Sequence, residues 1–313
     1  MAEIGIVIVT YNSAAEIGPC LDSAIATGAE VVVVDNASHD ATASEVRSRG
    51  VKLIANAENR GFAAAVNQGF RALTSPYILL LNPDAVIQTG LEPMREACDR
   101  PHTAAAGGKL VNVTGYPQVG FMVRRFPGPA ALILETLLLN RIWPDNPVNR
   151  RYRALDLDVD SSTSVEQPAG AFLMVRRAVW EELDGFDEGF HPLWFEDVDF
   201  SRRCAAKGYL SYYVPTVVAK HTGAHSIPQL SLEMRRFYWY RSLLRFSGKH
   251  FRPIAFRSVC LAVVTGSAVR GFLEAARDRS LQPMAACGRV VRLAGRCLFS
   301  GWRDGPVVSV PTK

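Results

Sequence analysis

Short apolar runs alternate with helix-like stretches through the first quarter of the chain, and this alternation constrains the fold more than any other feature. The apolar runs are rich in leucine or β-branched residues, as buried strands are. Strands separated by helices in this way form a parallel sheet that is covered on both faces. The predicted strands are 4–9, 31–34, 51–55 and 77–81, and the predicted helices are 14–27, 41–49 and 61–73. The sequence therefore predicts an α/β fold.

Each predicted strand ends in a polar loop. Ligands of open α/β sheets bind at the carboxyl ends of the strands, so these loops form the expected site. Two of the loops carry an aspartate, Asp35 and Asp84, among several amides and hydroxyls. A nucleotide with a metal-bound pyrophosphate needs oxygen ligands and hydrogen-bond partners of this kind. Neither GxGxxG nor GxxxxGK[ST] follows the first strand, which argues against a Rossmann dinucleotide site and a P-loop.

An acidic cluster follows a run of aromatic residues in the second half of the chain. Its carboxylates belong to Glu196, Asp197 and Asp199. The residues after them predict an amphipathic helix that ends at Gly208. The cluster would lie in the first turn, where the helix macrodipole favours negative charge and keeps a carboxylate ionised. Such a group can act as a general base, and the alternative is an acidic cap on a surface helix.

The middle of the chain is less regular. Proline and glycine recur through 107–164, which predicts a loop-rich insert of the kind that often sets substrate specificity. An apolar patch within it predicts a helix at 130–139. Further on, the pattern predicts strands at 170–177, 210–214 and 217–219 and a helix at 178–183, with His221 directly after the last strand.

Charge is distributed unevenly along the chain. Residues 229–313 contain 15 Lys and Arg against 4 Asp and Glu, whereas residues 1–228 contain 20 against 26. This basic tail predicts an anionic partner, either membrane lipid or nucleic acid. Aromatic residues alternate with arginines in it and could stack on nucleic acid, but no nucleic-acid motif accompanies them, so no nucleic acid is predicted as a partner.

The tail also contains an apolar stretch at 258–269 with an arginine at each border. A bilayer span needs about 20 residues, so this stretch is too short to cross. We expect an amphipathic helix that lies on an anionic membrane, in preference to an ordinary core helix. No basic flank precedes the first apolar run, which argues against a signal peptide, and the six cysteines form no CxxC pair. These features predict a cytoplasmic protein peripherally attached to the inner face of the membrane.

Taken in order, the motifs resemble those of family 2 glycosyltransferases of the GT-A fold. Within that family they look most like bacterial rhamnosyltransferases that act on polyprenyl-diphosphate-linked sugars. The resemblance covers residues 4 to about 226 and rests on five linked motifs. These are Val9-Thr10-Tyr11-Asn12, Val34-Asp35-Asn36-Ala37-Ser38, Asn59-Arg60-Gly61-Phe62 with Asn67, Leu80-Leu81-Asn82-Pro83-Asp84, and Glu196-Asp197-Val198-Asp199, with Gly185-Phe186-Asp187-Glu188 and His221 completing the set.

The resemblance implies a role for each matched residue. Asp197 corresponds to the catalytic base. Asp84 corresponds to the last residue of the family's DxD motif and would bind Mg²⁺ or Mn²⁺, with His221 as a further ligand. Asn82 replaces the first acid of that motif, which leaves the metal site with less negative charge. Glu196 and Asp199 either orient Asp197 or cap the helix. The implied nucleotide-sugar-binding residues are Thr10, Tyr11, Asn12, Asp35 (for the pyrimidine base), Asn59, Gly61, Asn67 and Asn82.

The implied activity is an inverting transfer of a sugar from a dTDP- or UDP-linked donor to a saccharide or polyprenyl-diphosphate-linked acceptor, in cell-surface polysaccharide synthesis. L-Rhamnose is the implied sugar, and UDP-galactofuranose is an alternative donor. Residues 1–228 would form the transferase domain, with a donor-binding half (1–106) and a catalytic half (107–228), and 229–313 a basic helical region.

Two other functions compete with this transfer. A sugar-1-phosphate nucleotidyltransferase should carry a basic glycine-rich loop after the first strand, which Thr10-Tyr11-Asn12-Ser13 is not. A nucleotide-sugar-binding scaffold at the membrane stays possible because the first acid of the metal motif is missing.

Overall fold

The computed structural model describes residues 3–223 and 231–303, and two sheets form within them. The strands are β1 (Ile4–Thr10), β2 (Glu30–Asp35), β3 (Lys52–Ala55), β4 (Tyr77–Leu81), β5 (Ala85–Ile87), β6 (Thr103–Val111), β7 (Val123–Arg124), β8 (Thr163–Val165), β9 (Gln167–Pro168), β10 (Phe172–Arg176) and β11 (Leu210–His221). The helices are α1 (Ile17–Ala26), α2 (Thr42–Ser48), α3 (Phe62–Arg71), α4 (Glu92–Asp99), α5 (Pro129–Thr136), α6 (Leu139–Ile142), α7 (Pro147–Tyr152), α8 (Arg177–Glu182), α9 (Glu196–Ala206), α10 (Leu232–His250), α11 (Pro253–Asp278) and α12 (Gln282–Ser300).

The larger sheet has the strand order β3-β2-β1-β4-β10-β6-β11-β5, and β8 pairs with β11 at its side. Strands β3, β2, β1 and β4 are parallel, while β10 runs antiparallel to both β4 and β6. Thr10 pairs with Asp35 in this register, so the exits of β1 and β2 are adjacent. The predicted α/β fold, with a parallel first half covered by helices, is confirmed.

Two apolar layers enclose this sheet. Ile6 and Ile8 of β1 face a cluster that includes residues of α1 and α4. Val7 and Val9 alternate with them and face a second cluster with residues of α3, α8 and α9. Because successive side chains of a strand point to opposite faces, the continuous apolar run of β1 requires cover on both sides.

The predicted loop-rich insert begins later than expected, because β6 extends through its start. The glycines that suggested a loop instead allow close packing inside the sheet. A Cβ on Gly107 would lie 2.5 Å from Pro168 Cβ, and one on Gly108 would lie 2.4 Å from a ring carbon of Phe172. The two strands predicted at 210–219 are one strand, β11, with an irregular register between Val214 and Val218.

The basic tail folds as three helices that pack against the rest of the chain. Their cluster includes Phe195 and Val198 from the start of α9 and Leu132 from α5. One face of α11 belongs to this core, as in an ordinary core helix, and contact of its other face with an anionic membrane stays a prediction. Local composition could not reveal the partner helices that cover the buried face.

Helix α11 is also longer than the apolar stretch that predicted it. With 26 residues, it is the one helix in the described residues that is long and apolar enough to cross a membrane, with an 18-residue window of mean hydropathy 1.5. Of that window, 39% is buried inside the protein. Length and composition alone are weak evidence for a span, since the core helices of soluble proteins pass the same test.

Candidate active site

A cavity of about 740 Å³ opens where β1 and β4 end. Of the four residues whose convergence the sequence predicts, Asp84, Asp197 and His221 line it, and Asp35 does not. Other predicted site residues in its wall are Thr10, Tyr11, Asn59, Asn82 and Glu196. Residues far apart in the sequence are therefore gathered at the carboxyl edge of the sheet, where an α/β fold binds its ligand.

Asp35 organises the loops beside the cavity. Its buried carboxylate accepts hydrogen bonds from the backbone N–H and the hydroxyl of Ser38. The Ser38 Oγ accepts in turn from the Asn12 N–H at 2.8 Å, and Asn12 Oδ1 accepts from the His39 N–H at 2.8 Å. The carboxylate thus connects the loops after β1 and β2, while contact with a pyrimidine base stays a prediction for Asp35 and Asn12.

The loop after β3 is held in shape by amide side chains. Asn59 Oδ1 accepts from the Gly61 N–H at 2.9 Å and from Asn36 Nδ2 at 3.1 Å. Gly61 has φ +82°, and a Cβ there would lie 2.6 Å from His191 Nδ1. Only glycine meets both constraints at low cost, so Gly61 brings this loop against the segment at 191–195 without itself lining the cavity.

Asn67 lies away from the cavity. It is buried, its Oδ1 accepts from the Phe186 N–H at 2.9 Å, and its Nδ2 donates to the Phe186 carbonyl at 2.9 Å and to Glu188 Oε1 at 3.0 Å. Its amide is therefore used on the turn after α8. The placement argues against the predicted donor-binding role, and the motif position reflects packing of α3 on that turn.

Asp84 and His221 face each other inside the cavity, with Asp84 Oδ1 3.4 Å from His221 Nε2. Both side chains are almost fully buried. Burial raises the pKa of Asp84, but a protonated His221 and the Gly223 N–H, which donates to Asp84 Oδ2 at 2.8 Å, outweigh it, and the net pKa lies below the usual value. The carboxylate is therefore ionised at neutral pH.

Gln118 determines which nitrogen of His221 carries the proton. Its Nε2 donates to the His221 carbonyl at 2.8 Å, which leaves its Oε1 to accept from His221 Nδ1 at 2.9 Å. In the neutral imidazole Nε2 is then an acceptor, and Asn82 Nδ2 lies 3.3 Å from it. Two lone-pair acceptors, the Asp84 carboxylate and the imidazole Nε2, thus lie side by side. This arrangement fits a shared cation, and the outer partner of the imidazole is of the kind found at metal sites.

The protein supplies few ligands for a metal ion at this position. Among the residues that the structure describes, no group of three or more His, Cys, Asp and Glu side chains is placed to hold a metal ion. Asp84 and His221 supply two ligands, and Asn82, in the position of the missing acid, adds no charge. A cation held here would need oxygen ligands from a bound diphosphate.

Asp197 lies at the start of α9 and is partly exposed to the cavity. Its Oδ2 accepts from the Gly170 N–H at 3.0 Å and from Gln167 Nε2 at 3.2 Å. Its Oδ1 accepts from the Val198 N–H at 2.8 Å. A Cβ on Gly170 would lie 3.2 Å from the Asp197 Cβ, so the strand approaches the carboxylate closely. The carboxylate is rigidly oriented.

The pKa of Asp197 is raised above its ordinary value of 3.8. Burial is the largest cause, and the Gly170 and Val198 N–H groups and the charge of Arg124 oppose it. The pKa of Glu196 is raised well above 4.5, again by burial first and then by the Asp197 charge. The macrodipole was expected to favour the ionised form of these acids, but burial outweighs it and shifts both pKa values upward. A raised pKa makes Asp197 a better proton acceptor than an ordinary carboxylate.

Asp199 neither orients Asp197 nor caps α9 from solvent. It is fully buried and contacts Arg203 Nε at 2.8 Å, Lys249 Nζ at 2.9 Å and His250 Nε2 at 2.7 Å. Lys249 and His250 belong to α10, and Lys249 also contacts Asp187 at 2.8 Å. This ionic cluster fastens the helix that carries Asp197 to the basic C-terminal helices.

Helix α10 also builds the cavity wall. Trp239 lines the cavity. Arg241 donates to the His191 carbonyl at 2.7 Å, and Ser242 Oγ donates to the Leu193 carbonyl at 3.0 Å. These bonds hold the segment that leads from the turn after α8 into α9. The sequence indicated a membrane tail here, and nothing in its local pattern pointed to the active site.

A comparison of the sequence with protein families decides the family of the chain. Residues 5–181, more than half of the chain, match the family described as Glycosyl transferase family 2. The chain belongs to glycosyltransferase family 2. The matched region includes the exits of β1, β2 and β4, and the chain is a glycosyltransferase.

Two characterised relatives are rhamnosyltransferases. The transferase is 28% identical over 315 residues to the N-acetylglucosaminyl-diphospho-decaprenol L-rhamnosyltransferase of Mycobacterium tuberculosis (strain H37Rv), covering 88% of this chain and 96% of the relative. It is 26% identical over 191 residues to the rhamnosyltransferase WbbL of Escherichia coli (strain K12), covering 60% of this chain and 68% of the relative. The predicted resemblance to this group is confirmed.

Solved structures share the fold. The mannosyltransferase PcManGT from Pyrobaculum calidifontis, solved with GDP-Man and Mn²⁺, aligns with a TM-score of 0.53 over 95% of this chain and 87% of that chain, at 18% identity. GalNAc-T7, solved with UDP, GalNAc and Mn²⁺, aligns with a TM-score of 0.53 over 80% of this chain and 50% of that chain, at 14% identity. The transferase therefore has the GT-A fold.

Sequence reasoning missed several residues of the transferase site. Gln118, Gln167 and Gly170 contact predicted site residues directly, yet each lies outside the matched motifs. For Gly170, the glycine just before a strand was a usable signal of close approach. For the two glutamines no local signal existed, because their partners lie in distant segments.

Proposed function

We propose that the transferase moves a sugar, with inversion, from a pyrimidine nucleotide sugar to a polyprenyl-diphosphate-linked acceptor, and that the sugar is L-rhamnose carried by dTDP. One observation carries the proposal: a rigid carboxylate of raised pKa, Asp197, and the Asp84–His221 pair line the same cavity. Inversion by a single displacement needs a base on one side of the anomeric carbon and a stabilised diphosphate on the other. The two named rhamnosyltransferases support the choice of sugar and acceptor.

In this mechanism Asp197 removes the proton from the acceptor hydroxyl while the new glycosidic bond forms. The Gly170 and Gln167 bonds hold the carboxylate in place, so little reorganisation is needed. Asp84 and His221 would hold Mg²⁺ or Mn²⁺, which stabilises the negative charge on the departing nucleoside diphosphate as a Lewis acid. Thr10, Tyr11 and Asn59 line the same cavity and would contact the nucleoside.

A panel of nucleotide sugars tests the proposal. dTDP-rhamnose, UDP-glucose, UDP-galactofuranose and GDP-mannose are each added with Mg²⁺ or Mn²⁺, and the melting temperature is recorded. A ligand that binds only the folded state raises it by mass action. We expect dTDP-rhamnose to raise it most, and radiolabelled rhamnose to pass to a lipid-diphosphate acceptor. A larger shift with GDP-mannose, or transfer from another donor alone, would contradict the proposed donor.

Replacing Gln118 tests the proposed metal pair. Gln118→Leu removes the acceptor that places the proton on His221 Nδ1, so Nε2 no longer presents a fixed lone pair. We expect Mn²⁺ affinity in the presence of dTDP, measured by electron paramagnetic resonance, to fall by about 10–100-fold, the usual effect of losing an outer-shell partner. Gln88→Leu, at an exposed glutamine, is the matched control. Equal Mn²⁺ affinity in the two variants would exclude this role for Gln118.

We also propose that the hairpin of α11 and α12 contacts an anionic membrane, where a polyprenyl-linked acceptor would reside. Large apolar side chains are exposed around its turn, among them Phe272 (66% exposed), Leu273 (59%) and Leu281 (77%). Arg270 and Arg279 lie in the same stretch. Exposed apolar groups beside arginines are what an interfacial helix needs to bind anionic lipid.

A double variant at this turn tests membrane binding without disturbing the core. Removing the C-terminal helices altogether would expose the cluster that packs on α9, so truncation cannot separate membrane binding from folding. Phe272→Ser with Leu273→Ser is expected to abolish cosedimentation with phosphatidylglycerol vesicles. Ile254→Ser, at the other end of α11 and 80% exposed, is the control. Wild-type cosedimentation by the double variant would place the membrane contact elsewhere.

A further inference from the structure

We infer that Arg124 and Arg153 form a binding site for the diphosphate of the acceptor, separate from the site for the donor diphosphate. The inference rests on the proposed function, which names a diphosphate-linked acceptor. Both residues line the cavity that Asp197 lines. Neither residue belongs to the matched sequence motifs, and neither touches Asp84 or His221.

Arg124 lines the cavity and is anchored through its Nε and beside the ring of Tyr152. Its Nε donates to the Gly120 carbonyl at 2.7 Å, and its guanidinium lies 5.7 Å from the ring centre of Tyr152. One outer nitrogen, Nη1, contacts the Tyr152 hydroxyl only loosely, at 3.4 Å. No hydrogen bond within residues 3–223 and 231–303 reaches Nη2. The guanidinium of Arg124 is thus held in place, while its Nη2 can still donate hydrogen bonds to a ligand.

Arg153 is also anchored through its Nε, which donates to Asn149 Oδ1 at 3.1 Å. Its Nη2 forms a long ion pair with Glu135 Oε2 at 3.8 Å, beyond hydrogen-bond distance. A Cβ on Gly120 would lie 3.3 Å from the Arg153 Cβ. The residue whose carbonyl anchors Arg124 therefore packs on Arg153, so the two arginines enter the cavity from adjoining backbone. Two anchored guanidinium groups in one cavity suit the oxygens of a diphosphate.

Strand pairing places this arginine pair beside the proposed base. Arg124 of β7 is the register partner of Gln167 of β9, and Gln167 Nε2 donates to Asp197. The charge of Arg124 is also felt by Asp197, whose pKa it lowers against the larger effect of burial. In a sugar diphosphate acceptor, a single ring separates the reacting hydroxyl from the diphosphate. Asp197 and the proposed diphosphate site are connected through the single side chain of Gln167, which matches this short separation.

The cavity offers the donor diphosphate a different chemistry. Asp84 is itself anionic and would repel a diphosphate unless a cation lay between them. Arginines neutralise a diphosphate directly, with no metal. The cavity thus holds a metal-dependent and a metal-independent anion site, and a reaction between two diphosphate-bearing substrates needs both.

Apolar side chains line part of the same cavity and continue on the surface beyond it. Leu132 of α5 and Trp239 of α10 are among the lining residues. Beyond α5, the side chains of Leu139, Ile142 and Trp143 are 39%, 81% and 63% exposed. Helix α5 packs on α11, and a Cβ on Gly266 would lie 2.4 Å from the Thr136 carbonyl. A lipid chain that leaves the diphosphate site along α5 would therefore reach the helices proposed to contact the membrane.

Binding of farnesyl diphosphate in EDTA tests the site without catalysis. EDTA removes the cation that the donor site needs, so binding reports the metal-independent site. We expect Arg153→Gln to weaken binding at least about tenfold, the effect of losing one charge-assisted hydrogen bond. Arg151→Gln, at an exposed neighbouring arginine, should leave it unchanged. Equal affinity of both variants, or no binding by the wild type, would overturn the inference.

Kinetics then separate the two diphosphates. With farnesyl-diphospho-N-acetylglucosamine as acceptor, Arg153→Gln and Arg124→Lys should raise its KM while leaving the KM of the donor unchanged. With phenyl N-acetylglucosaminide, which lacks the diphosphate, they should leave KM unchanged. A raised donor KM would assign the arginines to the donor diphosphate and overturn the inference. Absence of transfer by the wild type, together with intact farnesyl diphosphate binding, would reject the proposed function and keep the anion site.

Discussion

Asp197→Asn is expected to lower kcat by about 10²–10⁴-fold, the usual contribution of general base catalysis. The amide keeps the size of the carboxylate but cannot take a proton from the acceptor hydroxyl. Donor binding should survive, because Asp197 lies away from Asp84 and His221 in their hydrogen-bond networks. Single-turnover transfer measures the first effect, and the melting-temperature shift caused by the donor measures the second. Near-wild-type turnover would remove Asp197 from the mechanism.

The pH profile is an independent check on the same residue. Asp197 acts only when deprotonated, so kcat/KM falls as the pH drops below its pKa. Because burial raises that pKa, the acid limb of the profile should lie above the ordinary aspartate value of 3.8. Residual activity of Asp197→Asn should lack this limb. A limb that persists unchanged in the variant would belong to another group.

The candidate site residues that line the cavity were predictable because they lie at the ends of regular elements. Asp84 follows a buried strand, His221 ends another, and Asp197 begins a helix. Strand and helix periodicity locates such ends, and the topology of an α/β sheet brings them together. The first strands are continuous apolar runs that alternate with helices, and this pattern predicted their type and order. A strand that is buried on both faces needs apolar residues at nearly every position.

What could not be predicted depends on partners distant in the chain. Gln118 acts through His221, and no periodicity connects residues 103 positions apart. Asn67 carries a family motif, yet its amide is used by Phe186, a packing relation invisible in either segment alone. Glu196 looked ionised from its place at a helix start, but its protonation is controlled by tertiary burial that a local argument omits.

The basic tail shows how composition can mislead in part. An excess of arginine and aromatic residues indicated an anionic surface. Several of these arginines instead pair with acids inside the protein: Arg236 bonds Glu274 with two contacts of 2.6 Å, and Arg245 contacts Asp187 at 2.8 Å. Net charge counts such paired groups together with exposed ones. Only the exposed remainder can attract a membrane.

Internal pairs of this kind also join the C-terminal helices to α9, the helix that carries Asp197. Asp199→Asn is expected to lower the free energy of unfolding because it breaks this connection. The change leaves Arg203, Lys249 and His250 around a site that has lost its charge. Removing one partner of a buried ion pair costs about 3–5 kcal/mol, and we expect about 3 kcal/mol here because Lys249 is one-third exposed. Urea unfolding at pH 7 measures the loss.

A control variant and the pH separate this effect from general damage. Glu274→Gln breaks the ion pair of Arg236 between α10 and α11. This pair does not involve α9, so the variant should cost less stability and leave donor binding and kcat unchanged.

Burial raises the pKa of Asp199, but contacts with His250, Arg203 and Lys249 outweigh it and lower the pKa from 3.8 to about 2. A carboxylate with a lowered pKa stabilises the fold above its unfolded pKa and loses that contribution as the pH falls through the folded one. The stability difference between wild type and Asp199→Asn should therefore be full above pH 3.8 and shrink as the pH falls toward 2. A difference that stays constant over that window would mean that the Asp199 charge does not hold α9 to α10.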